Sequence, residues 1–348
     1  MPYFVGLDVS KNTTSICVVD TDGQVIEELT VETTPRALVE ALRGKRRRYR
    51  RIGMEAGDMA SWLNEGLTKA GLPIICIDPR HAHTVLAARH NKTDRNDALG
   101  IAELMRIGSY KLAHMRSHES QEIRALLVAR DMLVAKRRSL DSVIRAILLG
   151  LGLKIPRYAT RTFVERVAAI VAKYPAAARS VGPLLRVRSV LVAECEAYDH
   201  QVDQFAMSDP VCRRLVTAPG IGNLCALAFR AAVDEPRRFP NSRAVGAHFG
   251  LTPKTYQSGE KTSQGRITHA GDPVIRKLLY LAACNLSRPG RRESPLSRWA
   301  KALLQRMRFK KAMVAVARKL AIVLHRMWID DTDFRWEYES ADALPTPS

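Results

Sequence analysis

Short β-branched segments and amphipathic helical segments follow one another through about the first 110 residues, and their order restricts the fold. Strands are predicted at residues 3–9, 13–20 and 25–32, with turn residues at 21–24 between the second and the third. These three strands are expected to form an antiparallel meander. The later elements are predicted, in chain order, as a helix at 34–43, a strand at 51–55, a helix at 59–70, a strand at 73–78 and helices at 80–88 and 94–107.

A meander followed by strands that alternate with helices predicts a mixed sheet covered by helices. The order β, β, β, α, β, α, β, α is the ribonuclease-H-like arrangement, so we predict an α/β first domain of that class. Mainly α-helical regions follow it. The predicted domains are a catalytic domain at 1–112, a helical arm at 113–207, a C-terminal domain at 208–333 and a disordered tail at 334–348.

The predicted arm begins with a stretch from Glu119 to Leu153 that contains no proline. Its apolar residues repeat at spacings of three and four, which is typical of a coiled-coil helix. A second run from Val181 to Phe205 repeats the spacing weakly. The two runs are expected to pair as an antiparallel arm or to dimerise. The predicted seam of the first run is Ile123, Leu126, Leu133, Leu140, Ile144, Ile147 and Leu151, and that of the second is Val187, Leu191, Tyr198, Val202 and Phe205.

The C-terminal region opens with a helix, a glycine turn and a second helix at 211–233, the pattern of a helix-hairpin-helix element. The turn Pro219-Gly220-Ile221-Gly222 would present backbone N–H groups at a helix N-terminus, where phosphate binds well. Gly220 and Gly222 are therefore candidate nucleic-acid-binding residues, although the same sequence is also an ordinary helix-breaking turn. Residues 249–273, which follow, are poor in apolar side chains and rich in Gly, Ser, Thr and Lys.

A formal net charge of +20 and a sequence pI near 10.1 favour an anionic polymer as the partner, with nucleic acid first and a membrane surface second. No apolar run approaches the roughly 20 residues of a membrane-spanning helix. Seven of the nine residues at 43–51 are basic, either as a solvated linker or as a phosphate-binding patch. We favour the patch, with Arg46, Arg47 and Arg48 as its candidate residues.

The six cysteines form no Cys-x-x-Cys pair, which indicates reduced thiols rather than a zinc site. No export signal is visible at the N-terminus. A cytoplasmic location, with nucleoid association during action, is the corresponding expectation.

Four carboxylates occupy related places in the predicted first domain. Asp8 and Glu55 close the first and fourth strands, which are neighbours in a ribonuclease-H-like sheet, and Asp94 and Asp97 share one face of a helix start. Four carboxylates at one point would hold two Mg²⁺ ions roughly 4 Å apart, the arrangement that binds the attacking and leaving oxygens of a phosphodiester. In the alternative, Lys92 and Arg95 simply neutralise the helix start. Asp58 and Asp78 also follow strands.

A different class of fold shares the beginning of this pattern. The segments Gly6-Leu7-Asp8-Val9-Ser10 and Val18-Val19-Asp20 resemble the phosphate-binding hairpin of the actin and sugar-kinase superfamily. That fold needs a second glycine-rich phosphate loop, and the sequence shows none. A charge of +20 would also be unusual for a metabolite kinase.

Taken together, the motifs resemble those of the DEDD-type insertion-sequence transposases, the bridge-RNA-guided DNA recombinases of bacterial mobile elements. The resemblance covers about residues 3–330. It rests on Asp8, Glu55, the box Thr93-Asp94-Arg95-Asn96-Asp97-Ala98, the hairpin Ala218-Pro219-Gly220-Ile221-Gly222, the segment Gly250-Leu251-Thr252-Pro253 and the segment Ser258-Gly259-Glu260-Lys261.

The resemblance implies a RuvC-like first domain, a coiled-coil arm and a C-terminal transposase domain that contains a serine nucleophile. It also implies Mg²⁺, donor and target DNA, a noncoding bridge RNA, and a homo-oligomer, dimer or tetramer, whose active site combines two subunits. Carried over, the nucleophile is Ser258, with Ser263 and Ser242 as alternatives. A serine hydroxyl needs activation before it attacks, and Lys254, Lys261 and Arg266 could stabilise the pentavalent phosphate.

Two further functions remain open at this point. A Holliday-junction-resolving nuclease of the same fold would hydrolyse DNA without a protein-DNA bond. A non-catalytic nucleic-acid scaffold would need only the charge and none of the four carboxylates.

Overall fold

Five strands run through residues Met1–Arg116 and form one sheet in the spatial order β3-β2-β1-β4-β5. The first three pair antiparallel as a meander, and the last two run parallel to β1. This is the predicted ribonuclease-H-like topology. The strands are β1 (Tyr3–Val9), β2 (Thr13–Val19), β3 (Val25–Glu32), β4 (Tyr49–Glu55) and β5 (Ile74–Ile77).

The computed structural model describes residues 1–44, 47–86, 93–156, 162–258 and 261–336. Four helices accompany the sheet: α1 (Pro35–Arg43), α2 (Ala60–Lys69), α3 (Pro79–Leu86) and α4 (Asp94–Ile107). The predicted elements are confirmed, with several ends moved by one residue and with the predicted end of α3 at residue 88 outside the described residues. The largest change is in β4. β4 begins at Tyr49 rather than at Arg51, so the end of the basic run is a strand and not a linker.

Both faces of the sheet are covered. Alternation along β1 sends Val5 and Leu7 into an apolar cluster with α1 and α2, and Phe4 into the cluster of α3 and α4. Thr34 caps α1 by accepting a hydrogen bond from the N–H of Ala37. Each helix therefore buries one apolar face against the sheet, as its periodicity predicts.

The remaining chain, Ser117–Ser348, forms a second compact unit that is mainly helical. Its arm contains α5 (His118–Gly150), α6 (Phe163–Val171) and α7 (Pro175–Ser208), and its C-terminal part contains α8 (Pro210–Leu215), α9 (Asn223–Val233), α10 (Ser242–His248), β6 (Pro253–Ser258), β7 (Lys261–Ile267), α11 (Pro273–Leu286), α12 (Pro295–Arg306) and α13 (Phe309–Ile329).

Helices α5 and α7 pair antiparallel, because the start of α5 shares a core with the end of α7 and the end of α5 shares one with the start of α7. This confirms the predicted arm. Ile123, Ile144 and Val202 are buried as predicted, and five other predicted seam positions lie one residue from a buried one. The buried positions of α5 are Ser120, Ile123, Leu127, Asp141, Ile144 and Leu148, and those of α7 are Ala177, Val181, Arg188, Cys195, Val202 and Ala206.

A buried ion pair occupies two of the shifted seam positions. Nε of Arg188 donates to Asp141 at 2.6 Å, and the guanidinium lies 4.6 Å from the ring centre of Phe163. Two charged residues thus occupy core positions, and a pattern based on apolar residues does not predict them. Leu151 and Val187, which were predicted to lie in the seam, are each 52% exposed.

The C-terminal helices enclose the largest apolar core of the chain, which joins α9, α11 and α13 with the adjoining ends of the arm. Phe334 extends this core, and its N–H donates to Oγ1 of Thr217 at 2.9 Å. The remainder of the predicted tail, 337–348, lies outside the described residues. In the part of the chain that is described, no helix is both long and apolar enough to cross a membrane.

Candidate catalytic carboxylates and serine

A pair of glycines brings α4 into direct contact with the sheet. Gly6 and Gly53 face each other across β1 and β4. A Cβ added to Gly6 would lie 2.0 Å from the carbonyl oxygen of Ala98, and one added to Gly53 would lie 2.7 Å from Cγ of Met105. Since real Cβ atoms do not approach so closely, only glycine admits the helix here.

Helix α4 runs in the direction opposite to β1. Its C-terminal part lies beside the β2–β3 turn, where Arg106 donates to the carbonyl of Thr21. That turn adjoins the beginning of β1, because Phe4 pairs with Val19. The first turn of α4 is consequently at the opposite edge of the sheet, where β1 and β4 end.

The two strand carboxylates lie at this same edge. The last register pair of β1 and β4 is Leu7 with Met54, so the next residue on each strand is Asp8 and Glu55. Both are half-buried. The predicted neighbourhood of these two residues is therefore present, on strands that run parallel and end together.

Asp94 and Asp97 occupy the first turn of α4, which Thr93 caps by accepting from the N–H of Asn96. Acidic residues are favoured there by the helix dipole. The guanidinium of Arg95 forms an ion pair with Glu28 of β3, so this arginine has a partner on the sheet. Lys92, the other residue of the neutralisation hypothesis, lies outside the described residues.

We use the name carboxylate edge for Asp8, Glu55, Asp94 and Asp97. Their oxygen donors are the type that Mg²⁺ takes. Across the described ranges, however, no three acidic, histidine or cysteine side chains are grouped closely enough to hold a metal ion. The topology brings the four residues to one edge, and their convergence on a metal stays a prediction.

Two other acidic residues after strands have structural explanations. Asp78 accepts hydrogen bonds from the N–H groups of Arg80 and His81 and so caps α3. Asp20, part of the kinase-like pattern, accepts from the N–H groups of Asp22 and Gln24 in the β2–β3 turn. Asp58 is exposed.

Ser258 is the last residue of β6, at the far end of an antiparallel two-stranded sheet that we call the serine ribbon (β6 and β7). Every residue of β6 after Pro253 is exposed, including Lys254 and Ser258. Arg266 on β7 is exposed as well. Lys261 begins β7 and pairs with Ser258 in register. The predicted nucleophile and its predicted basic neighbours thus belong to one hairpin.

The two alternative serines differ in their surroundings. Ser263 is exposed on β7 and pairs with Tyr256. Ser242, at the first residue of α10, has its hydroxyl 2.9 Å from Nδ1 of His325, while Nε2 of that histidine lies 2.9 Å from the carbonyl of Pro236. Burial lowers the pKa of His325, which keeps the ring neutral and suits it to joining α10 and α13. Sequence reasoning missed this contact, which spans 83 residues.

The basic run at 43–51 is only partly available to a partner. Arg47 pairs with Glu27 and lies 5.7 Å from the ring centre of Tyr3. Arg48 is exposed, and Arg46 lies outside the described residues. The folded sheet thus uses one of the three predicted nucleic-acid-binding arginines for its own stability.

The two glycines of the Pro219–Gly222 turn serve different purposes. Gly220 has φ +80°, and a Cβ there would lie 2.6 Å from the carbonyl oxygen of Ala282, so it is needed for packing against α11. Gly222 precedes α9, and a Cβ there would meet nothing within 4 Å. At the first residue of α9, Nδ2 of Asn223 donates to Oδ1 of Asp203 at 2.8 Å, so a carboxylate lies beside the helix start and the phosphate contact stays a prediction.

Comparison with known proteins identifies the family of the chain. Residues 5–152 match the family model of DEDD transposases of the IS110 type, and residues 212–300 match the model described as "Transposase IS116/IS110/IS902 family". The transposase for insertion sequence element IS1111A of Coxiella burnetii is 31% identical over 334 residues, which cover 92% of this chain and 88% of that protein. The chain belongs to this transposase family.

Other relatives carry the same designation. The transposase for insertion sequence element IS1328 of Yersinia enterocolitica is 26% identical, covering 78% of this chain and 81% of that protein. Among solved structures, Thermus thermophilus RuvC in complex with Holliday junction substrate matches 32% of this chain and all of that chain, at 16% identity and a TM-score of 0.24. Family membership makes DNA the substrate and supports a transposase over the sugar-kinase alternative.

Proposed function

We propose that this transposase cuts and rejoins DNA by metal-dependent phosphodiester transfer, with the carboxylate edge as the metal-binding group and Ser258 as the nucleophile. The observation that supports this most directly is the antiparallel course of α4. It brings the first turn of that helix to the sheet edge at which Asp8 and Glu55 follow the last paired residues of β1 and β4. This placement requires glycine at position 6, where a Cβ would meet the backbone of α4, whereas a Cβ at Gly53 would meet the side chains of Met105 and Ile101.

Mg²⁺ is the cofactor that this donor set fits, in one or two ions held by the four carboxylates, and when bound it supplies charge neutralisation at the phosphodiester. In the proposed site, the side chains of Asp8 and Glu55 would reach the ion from the sheet, and those of Asp94 and Asp97 would reach it from the helix. Since each carboxylate would otherwise repel the DNA phosphates, the set has no evident use in DNA binding without a cation.

Ser258 is proposed to attack the phosphorus atom of one DNA strand. Its Oγ forms a phosphoserine bond, the P–O bond to the leaving sugar oxygen breaks, and that oxygen takes up a proton. The energy of the phosphodiester is conserved, so attack by a second DNA hydroxyl rejoins strands without ATP. The exposed position of Ser258 at the end of the ribbon supports this role, because a polymer substrate can reach it.

We further propose guidance by a noncoding RNA and assembly of a homo-oligomer in which carboxylates and serine come from different subunits. The two groups belong to separate compact units of the chain, Met1–Arg116 and Ser117–Ser348. A net charge of +20 favours the binding of anionic polymers, which include both DNA and RNA.

Trapping tests the proposed chemistry. The protein is incubated with DNA that carries the element ends, RNA transcribed from the adjoining noncoding segment and Mg²⁺, then denatured and analysed for DNA attached to protein. We expect attachment with the native chain and none with Ser258→Ala, whereas Ser242→Ala should keep it. Full attachment with Ser258→Ala would refute the serine assignment.

The same experiment separates the junction-resolving alternative. A hydrolytic nuclease would cleave the DNA and leave no attached protein at any time point. Cleavage that depends on Asp97 but never yields an adduct would therefore assign the carboxylate edge to hydrolysis and remove Ser258 from the reaction. RNA guidance is tested separately, since omission of the RNA should abolish cutting at the element ends.

A further inference from the structure

The serine ribbon has two chemically different faces. Because side chains alternate along a strand, Tyr256 and Ser258 lie on one face of β6, and Thr255 and Gln257 lie on the other. Residues paired in register share a face, so Ser263 belongs with Tyr256 and Gln264 with Thr255. Tyr256, Ser258 and Ser263 thus belong to one face, and both carboxamides, Gln257 and Gln264, belong to the other, together with Thr255.

The face that carries Tyr256 and Ser258 is partly covered by the ribbon itself. A Cβ added to Gly265 would lie 3.0 Å from Cε2 of Tyr256, so the ring rests on the glycine. Gln257 and Gln264 are both exposed, on the opposite face. A carboxamide pair in solvent contributes little to stability, and its donors and acceptors are available to a partner.

The base of the ribbon is held firmly. Nη1 of Arg276 donates to the carbonyl oxygens of Phe249 and Ala270, at 2.9 Å in each case. Gly250, at φ +67°, lies so close to Ala270 that an added Cβ would be 2.3 Å from its carbonyl oxygen. From Pro253 the ribbon extends over five residue steps to Ser258, or about 17 Å.

A ribbon of this size matches a groove of duplex DNA. Two strands about 4.8 Å apart, with their side chains, fit the major groove of about 12 Å but not the minor groove of about 6 Å. Between residues 253 and 267 the sequence has three basic residues and one acidic residue, so the charge also suits DNA. An isolated two-stranded hairpin is only marginally stable in water, and a groove would supply its missing support.

We infer that the ribbon docks in the major groove of duplex DNA through its carboxamide face, so that Gln257 and Gln264 contact base edges while Ser258 lies on the face turned away from those bases. Glutamine pairs with adenine through N6 and N7. The protein would then add its own base preference beside the cut site. This inference rests on the proposed function for the role of Ser258, but the DNA contact itself requires no catalysis.

Selection from a DNA pool tests the contact. The full chain at low salt is mixed with duplexes that contain ten randomised base pairs, and the retained DNA is sequenced. We expect the native chain to enrich adenine about tenfold at one or two positions. The double variant Gln257→Ala/Gln264→Ala should lose this enrichment, and Tyr256→Phe, on the opposite face, should keep it.

Replacement of the enriched adenines by 7-deazaadenine should weaken binding by the native chain and leave the double variant unaffected. Identical base composition in the native and double-variant pools, or no retained DNA at all, would overturn the inference. A parallel pool of RNA decides between the two polymers, since a change confined to RNA would also overturn it. Trapping is independent of this result, so the failure of one proposal leaves the other measurable.

Discussion

The carboxylate edge and the serine ribbon are supported in opposite ways. The first rests on a five-stranded sheet in which the backbone of α4 touches Gly6, so small displacements are resisted by a packed core. The second has two strands whose residues are mostly exposed, and it is held chiefly at its base by Arg276. A buried support suits groups that are proposed to share a metal, and an exposed ribbon suits a proposed nucleophile that a polymer must reach.

The largest predicted effect is a loss of DNA cleavage when a charge is removed from the carboxylate edge. Asp97→Asn keeps the size of the side chain but removes a metal-binding oxygen, and we expect DNA cleavage to fall at least about a hundredfold. The measurement is the initial rate of cleavage at saturating Mg²⁺. Asp78→Asn is the matched control, because asparagine also caps a helix and Asp78 has that role. Equal losses in the two variants would show that the edge is not catalytic.

The second comparison is between a glycine that contacts helix backbone, Gly6, and one that contacts a side chain, Gly265. Gly6→Ala places a Cβ against the backbone of α4, which cannot yield without moving the helix, and we expect it to lower the free energy of unfolding by about 1–3 kcal/mol. The same substitution at Gly265 meets only the edge of the Tyr256 ring, which can rotate away, so the change there should be below about 0.5 kcal/mol.

Urea denaturation of both variants measures this contrast. A Gly6→Ala protein that retains native stability would mean that α4 is not closely seated on the sheet. Cleavage activity measured on the folded fraction adds a second test, since displacement of α4 should also move Asp94 and Asp97.

A smaller effect is expected from a substitution at the base of the ribbon. Arg276→Met removes two hydrogen bonds to carbonyl oxygens while keeping much of the apolar stem, and we expect backbone amide exchange in residues 253–267 to accelerate about tenfold. Exchange in β1 and β4 should be unchanged. Hydrogen exchange read by mass spectrometry tests both statements, and uniform acceleration across the two units would contradict the local role of Arg276.

The smallest predicted effect is a pH dependence of stability. Burial lowers the pKa of His325 below its usual value near 6.5, so the unfolded chain binds a proton at a pH where the folded chain does not. Stability should therefore be complete above about pH 6.5 and decline below it, by at most about 1.4 kcal/mol per pH unit from this group. His325→Gln should flatten the decline, and His200→Gln, at an exposed position, should not. Denaturation midpoints from pH 5 to 8 provide the measurement.

The sequence predicted that Asp8 and Glu55 follow neighbouring strands, because that part of the prediction depends on local patterns. Buried strands alternate in apolar character, and the residue that follows each strand is readable from that pattern, as Asp8 and Glu55 show. The close contact between α4 and the sheet was not predicted, because it involves Gly6 and Gly53. These residues are far apart in the sequence and are paired only in the folded sheet. Their role became evident only once β1 and β4 were adjacent.

The arm seam and the ribbon were harder for physical reasons. Leu126 and Leu127 are adjacent and both apolar, and both contact the same core, so apolar spacing alone does not show which of the two is fully buried. The strands of the ribbon lack apolar alternation because both faces are exposed, so the sequence predicted only a polar segment there. The three-domain division and the role of each site residue stay predictions.

The most direct test of the proposed mechanism identifies the residue that forms the bond with DNA. Trapped complexes are treated with nucleases and then trypsin, which cleaves after Lys254, Lys261 and Arg266 and so separates peptide 255–261 from peptide 262–266. Mass spectrometry should find a nucleotide adduct on peptide 255–261, with fragment ions that assign it to Ser258. An adduct on peptide 262–266, or DNA cut and rejoined with no adduct on either peptide, would contradict the proposed mechanism.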